Sequence, residues 1–174
     1  MKNESLCGQH FAEGFLFVVI CPAAVLTRKL RNRAHSKGMP RALELFSGTG
    51  SVGKVLREHG WEVVSVDCLQ KFKPDICTDI GTWNYTANLS PSEFDYVHLS
   101  PPCCEFSRAL TTRPRRLEEG DRLALKALEI LDFLQPRHWT IENPDALLKT
   151  RPFMQPLNAY MKRVTYCTYA DGDA

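Results

Sequence analysis

Strand-like segments alternate with helix-like segments along this chain, and that alternation limits the fold more than any other feature. ALELF (42–46), EVVSVD (62–67), FDYVHLS (94–100) and WTIE (139–142) are short runs of apolar and β-branched residues. A helix is expected from about Val52 to His59, with Gly60 at its stop. Residues 117–134 carry the helical period, with Leu117, Ala124, Leu128, Leu131 and Leu134 along one face. DICTDI (75–80) and RVTYCTY (163–169) read as two more short strands, while 81–93, 101–116 and 144–160 read as loops or irregular chain. Strands joined through helices predict a parallel, doubly wound α/β sheet.

In such sheets ligands collect at the carboxyl ends of the strands. The chemically special residues fall there: Gly48 and Gly50, Asp67, Asp79, Pro102 with Cys103, and Glu142 with Asn143. FSGTGSVG (46–53) spells G-x-G-x-x-G through Gly48, Gly50 and Gly53, and Asp67 follows nineteen positions after Gly48. That spacing suits a dinucleotide loop, but Glu44 stands in the strand that feeds it. A carboxylate there repels a pyrophosphate and favours a cation. S-adenosylmethionine carries a sulfonium and an ammonium and no phosphate. Asp67 then suits the ribose hydroxyls and Asp79 the adenine amino group. A nicotinamide cofactor leaves PPCCEFS and IENP unexplained.

LELFSGTGSVG, VVSVD, DI, SPPCCEFS and IENP, in that order, resemble the motifs of the cytosine-5 DNA methyltransferase family. Glu44, Phe46, Gly48 and Gly50 match acid-x-F-x-G-x-G. Pro102, Cys103, Phe106 and Ser107 match P-C-x-x-F-S, with Cys104 where the family usually has Gln. Glu142 and Asn143 match E-N-V, with Pro144 in place of Val. The resemblance covers about residues 41–170. It implies a Rossmann-like, S-adenosylmethionine-dependent methyltransferase fold, a mostly parallel sheet flanked by helices. It also implies S-adenosyl-L-methionine as methyl donor, held by Glu44, Phe46, Gly48, Gly50, Asp67, Asp79 and Pro102.

The implied chemistry explains the residue types. Carbon 5 of cytosine is a poor nucleophile until a thiolate adds at carbon 6, the role implied for Cys103. Glu142 would hydrogen-bond the pyrimidine edge at nitrogen 3 and the exocyclic amine, and Asn143 would orient the loop that carries Cys103. Asn143 before Pro144 also has the form of a helix N-cap. A duplex base must be flipped out to reach a thiolate, so DNA with an extruded cytosine is the implied partner. Ser107, Arg108, Arg113, Arg115 and Arg116 would contact its phosphates.

The chain has 174 residues, a length that suits one domain. Residues 1–40 read as an extension, poorly ordered or targeting-like, with six Lys/Arg against two acids. Its apolar run at 15–26 is too short to span a bilayer. Residues 41–174 read as the catalytic domain, with sixteen basic and eighteen acidic residues. Seven cysteines without a C-x-x-C pair fit a reduced intracellular compartment and no structural metal. No Q-x-R-x-R follows residue 160. The resemblance therefore implies a truncated member without a target-recognition region, or one completed by a second chain. Two other readings stay open. One is a non-catalytic remnant that binds S-adenosylmethionine or nucleic acid. The other is an RNA- or amino-methyltransferase, because SPP also opens the S-P-P-[YW] site of cytosine-N4 enzymes, where Cys103 replaces the aromatic.

Overall fold

The computed structural model describes residues 15–20 and 38–165. Its centre is a seven-stranded sheet. The strands are β1 (Phe15–Ile20), β2 (Arg41–Leu45), β3 (Glu62–Asp67), β4 (Ile76–Cys77), β5 (Tyr96–Leu99), β6 (His138–Pro144) and β7 (Met161–Thr165). The spatial order is β4-β3-β2-β5-β6-β1-β7. From β4 to β6 every pairing is parallel, whereas β1 is antiparallel to both β6 and β7. The parallel part has the 3-2-1-4-5 order of a doubly wound, Rossmann-like sheet, with its switch point between β2 and β5.

Among the described residues, two α-helices cover opposite faces. Helix α1 (Ser51–Glu58) presses Gly53 onto Glu44 and Val63. It ends as the sequence predicts: Gly60 adopts φ +81°, its N–H reaches the Arg57 carbonyl, and the Trp61 N–H reaches Leu56. These two bonds form a Schellman close. Helix α2 (Leu117–Leu134) lies on the other face. Its Ala124, Ala127 and Leu128 line a small apolar space with Leu99 of β5 and Ile141 of β6. The buried line on α2 runs Gly120, Ala124, Ala127, Leu131, Leu134, so Leu117 and Leu128 sit at its margin.

Alternation along the strands separates a greasy face from a polar one. Leu43, Leu45, Val97, Leu99 and Ile141 point into the α2 core. Their neighbours Glu44, His98 and Thr140 are register partners on the opposite face. Trp83 and Tyr85, in the loop-like stretch 81–93, are core residues.

Three expectations change. Phe15–Ile20, placed in an extension, are a strand inside the sheet, because FLFVVI alternates buried Phe17 and Val19 with side chains on the other face. The rest of 1–37, with the basic cluster, lies outside the described residues. Residues 144–160 are not wholly irregular: 3-10 turns run over Leu148–Thr150 and Pro152–Tyr160. The last strand begins at Met161, two residues early, and 166–169 of the expected segment lie outside the described residues.

Candidate active site

Parallel pairing sends the β2, β3, β4, β5 and β6 carboxyl ends to one edge of the sheet. The glycine loop leaves β2 there. Phe46, Gly48 and Gly50 all take positive φ (60°, 50° and 70°), so the chain turns sharply out of the strand. A Cβ on Gly48 or Gly50 would meet nothing within 4 Å, so the loop backbone faces open space. Asp67, buried at the end of β3, clamps this loop. Its Oδ2 accepts the Gly48 N–H at 2.8 Å, and its Oδ1 accepts the Leu69 N–H at 2.8 Å. A carboxylate offers about four acceptor sites, so each oxygen keeps capacity for a ligand hydroxyl. Asp79 is exposed just past β4 and accepts the Gly81 N–H at 2.8 Å.

Glu44 sits differently from the sequence expectation. It is 3% exposed and lies beneath α1, where its Oε2 accepts the Gly53 N–H at 3.0 Å. Burial pushes its carboxyl up, and the Gly53 and Val52 amides and the Arg57 charge pull it down. In this arrangement Glu44 satisfies the helix N-terminus and supports the loop from below.

The second half of the site joins β5 to β6. After β5 the chain passes through Ser100, Pro101 and exposed Pro102 to Cys103, which is half-buried like Cys104. Phe106 and Ser107 N–H groups donate to the Cys103 carbonyl at 2.9 and 2.8 Å and close a turn on it. Two side chains of β6 reach back to this segment. Glu142 Oε2 accepts the Ser100 hydroxyl at 2.6 Å, and Asn143 Nδ2 donates to the Pro101 carbonyl at 2.7 Å. Asn143 is therefore no helix cap: β6 continues through Pro144, and its amide is spent on the loop before Cys103. Its Oδ1 is buried without a hydrogen-bond partner among the described residues. Burial pushes the Glu142 carboxyl up, opposed by the Ser100 hydroxyl.

The arginines divide. Arg113 Nη1 and Nη2 form a parallel fork on Glu105 Oε2 and Oε1 at 3.0 and 2.5 Å. The Arg116 backbone N–H donates to Glu105 Oε2 at 2.7 Å, and its guanidinium lies 3.8 Å from the same carboxylate. Arg115 donates to the Ser107 carbonyl at 2.9 Å. Three of the four arginines expected at phosphates thus bind the loop itself, and Arg108 is exposed. Glu105 and Ser100 escaped the sequence reading, although both lie inside SPPCCEFS. Only the fold shows which neighbour each one serves.

Among the described residues no group of three or more His, Cys, Asp or Glu side chains could hold a metal ion. No described helix is long and apolar enough to cross a membrane.

The chain is 37% identical over 144 residues to a protein of Frog virus 3 (isolate Goorha) described as a "Probable DNA (cytosine-5)-methyltransferase". The match takes in 75% of this chain and 64% of the viral protein, so the chain spans under two thirds of that relative's length. No protein-family model matches. Two solved structures overlap it in part. One is the PH0226 protein from Pyrococcus horikoshii OT3, with 18% identity and a TM-score of 0.34 over 53% of this chain and 44% of that one. The other is a SAM dependent methyltransferase from Archaeoglobus fulgidus, with 20% identity and a TM-score of 0.35 over 52% and 39% of the two chains.

Proposed function

We propose that this chain is a member of the cytosine-5 DNA methyltransferase family, as its likeness to the viral relative supports, and that it carries a methyl-transfer site built on Cys103, Glu142 and Asn143, with S-adenosylmethionine as donor and DNA cytosine as acceptor. The observation that carries this reading is the pair of hydrogen bonds tying the Cys103 segment to the Glu142–Asn143 pair. They join two motifs some forty residues apart in sequence into one site.

The residues at the glycine loop suit the cofactor. Gly48 and Gly50 offer backbone beside open space, Asp67 retains acceptor capacity for ribose hydroxyls, and exposed Asp79 stands one strand further out. The Glu44 carboxylate beneath the loop disfavours a phosphate-bearing alternative. When bound, S-adenosylmethionine supplies an electrophilic methyl group. Phe46 and Pro102 flank the space between the two loops in sequence position, at the ends of β2 and β5.

The remaining chemistry belongs to the chain. The Cys103 thiolate adds to carbon 6 of cytosine, which makes carbon 5 electron-rich. Glu142, with its carboxyl pushed up by burial, holds nitrogen 3 and shares a proton with it as charge enters the ring. The Ser100 hydroxyl fixes the rotamer of Glu142 for that task. Asn143 holds the Pro101 carbonyl and so the start of the nucleophile's loop. Once carbon 5 carries the new methyl group, it loses its proton to a base. The electron pair then expels the Cys103 sulfur and restores the aromatic ring. The target cytosine enters this site flipped from its duplex. Ser107 and exposed Arg108 would contact phosphates beside the extruded nucleotide. A second chain for target recognition and an intracellular location complete the proposal.

The test is transfer of labelled methyl groups from S-adenosylmethionine to cytosine-containing DNA, with Cys103→Ser beside the wild type. Label recovered as 5-methylcytosine from the wild type alone is the expected result. Transfer that survives in Cys103→Ser, or label on the exocyclic nitrogen, would overturn the covalent mechanism. Cofactor binding without any transfer would favour a binding subunit instead.

A further inference from the structure

We propose that Glu105 is a positioning residue for the Cys103 loop, pinning the nucleophile's turn to the start of α2 through Arg113 and Arg116. The proposal rests on the reading of Cys103 as nucleophile. Glu105 stands two residues after Cys103 and is only 7% exposed, although its sequence neighbours on the far side of the loop are charged and exposed. Its carboxylate receives the two-pronged Arg113 fork and the Arg116 backbone N–H. Arg116 in turn pairs with Glu119 in the first turn of α2 at 3.1 Å. Charge-assisted, bidentate pairs of this kind fix direction as well as distance.

Packing supplies a second restraint on the same turn. Phe106 is fully buried, and its ring lies where a Cβ on Gly120 of α2 would be, 2.8 Å away. The Phe106 carbonyl also accepts the Leu147 N–H at 3.2 Å, just beyond β6. Because the Phe106 and Ser107 amides close on the Cys103 carbonyl, the backbone at Cys103 follows wherever Glu105 and Phe106 are held. The ionic side of this clamp is Glu105.

A loop aimed in this way should lose turnover before it loses binding, since small misplacement of a reacting group costs rate steeply. The experiment compares wild type, Glu105→Gln, Arg113→Gln and the double variant. It reads methyl transfer, cofactor affinity, unfolding midpoint and the rate of Cys103 alkylation by iodoacetamide, located by peptide mapping. Glu105→Gln should lower kcat about tenfold or more with KM for S-adenosylmethionine unchanged. Its Cys103 alkylation rate should change at least about threefold, because the half-buried thiol is no longer held in one setting. The double variant should be no worse than Glu105→Gln alone, since both substitutions cut one connection. Additive losses, unaltered kcat and alkylation, or a rate loss that tracks cofactor affinity and unfolding midpoint would each overturn the proposal. If the wild type itself transfers no methyl group, the functional reading fails, and Cys103 alkylation across the four proteins still decides the role of Glu105.

Discussion

At Gly53 one missing carbon decides how the glycine loop is built. A Cβ there would collide with the Glu44 carboxylate, which occupies the space and takes the Gly53 N–H. Gly53→Ala sets two effects against each other. Alanine improves helix propensity by about 1 kcal/mol. Displacing Glu44 leaves a buried carboxylate and a helix N–H without their partner, at about 1–3 kcal/mol, more for a charged group. The second effect wins, so Gly53→Ala should lower the unfolding free energy read by urea titration by a net ~1–2 kcal/mol and weaken S-adenosylmethionine binding. A variant as stable as wild type would remove Glu44 as the support of the loop. The glycine was visible in G-x-G-x-x-G, but its reason was not. Sequence spacing cannot show that Glu44 folds under α1 and accepts the Gly53 N–H. The same limit applies to Arg113, Arg115 and Arg116. An arginine in a polar loop looks equally ready for a phosphate or a neighbour, and only the fold shows that buried Glu105 engages Arg113 and Arg116 and that the Ser107 carbonyl engages Arg115.

Among the elements, β3 and α2 match the sequence reading residue for residue, whereas β5 and β6 carry a device the sequence left silent. FDYVHLS alternates, so Val97 and Leu99 face α2 while Tyr96 and His98 face the other way. His98 is 8% exposed, and its Nδ1 meets the Thr140 hydroxyl at 2.8 Å, itself 2.6 Å from the Tyr96 hydroxyl. Burial pushes the His98 imidazole down to about 4. The sign follows from proton counting. The unfolded chain binds a proton near pH 6.5 and the folded chain only near 4. Stability contributed by neutral His98 is therefore whole above pH 6.5 and drains away as pH falls towards 4. Moving from pH 7 to pH 5 should cost about 2 kcal/mol through this one residue. His98→Gln should be less stable at pH 7 yet flatter over that interval, as urea unfolding at the two pH values will show. An equally steep loss in the variant would place the acid sensitivity elsewhere.

For the whole molecule, the parallel half of the sheet was legible, because each of those strands carries its own apolar run and ends in a marked residue. The antiparallel half was not. FLFVVI has strand character, but its place between β6 and β7 depends on partners more than a hundred residues away, beyond any local window. Reading 1–40 as an extension predicts that it can be removed at little cost. The sheet predicts the reverse. Without β1, the stretch Thr140–Pro144 loses its antiparallel partner and β7 loses its connection to the sheet. Leu16, Phe17 and Val19 are at most 6% exposed. Burying side chains of this kind contributes about 1.5–3 kcal/mol each, a sum comparable with the whole stability of an ordinary domain at about 5–15 kcal/mol. Glu142 and Asn143 lie opposite Val18 and Phe17 in the register, so the damage would reach the site directly. A chain beginning at Gly38 should show no cooperative thermal transition and no cofactor binding. Phe17→Ala in the full chain should lower stability by about 3–5 kcal/mol. A shortened chain that melts cooperatively near the wild-type midpoint would mean that β1 only decorates a sheet complete without it. A strong Phe17→Ala effect together with a collapsed shortened chain would make it a structural wall of the active site.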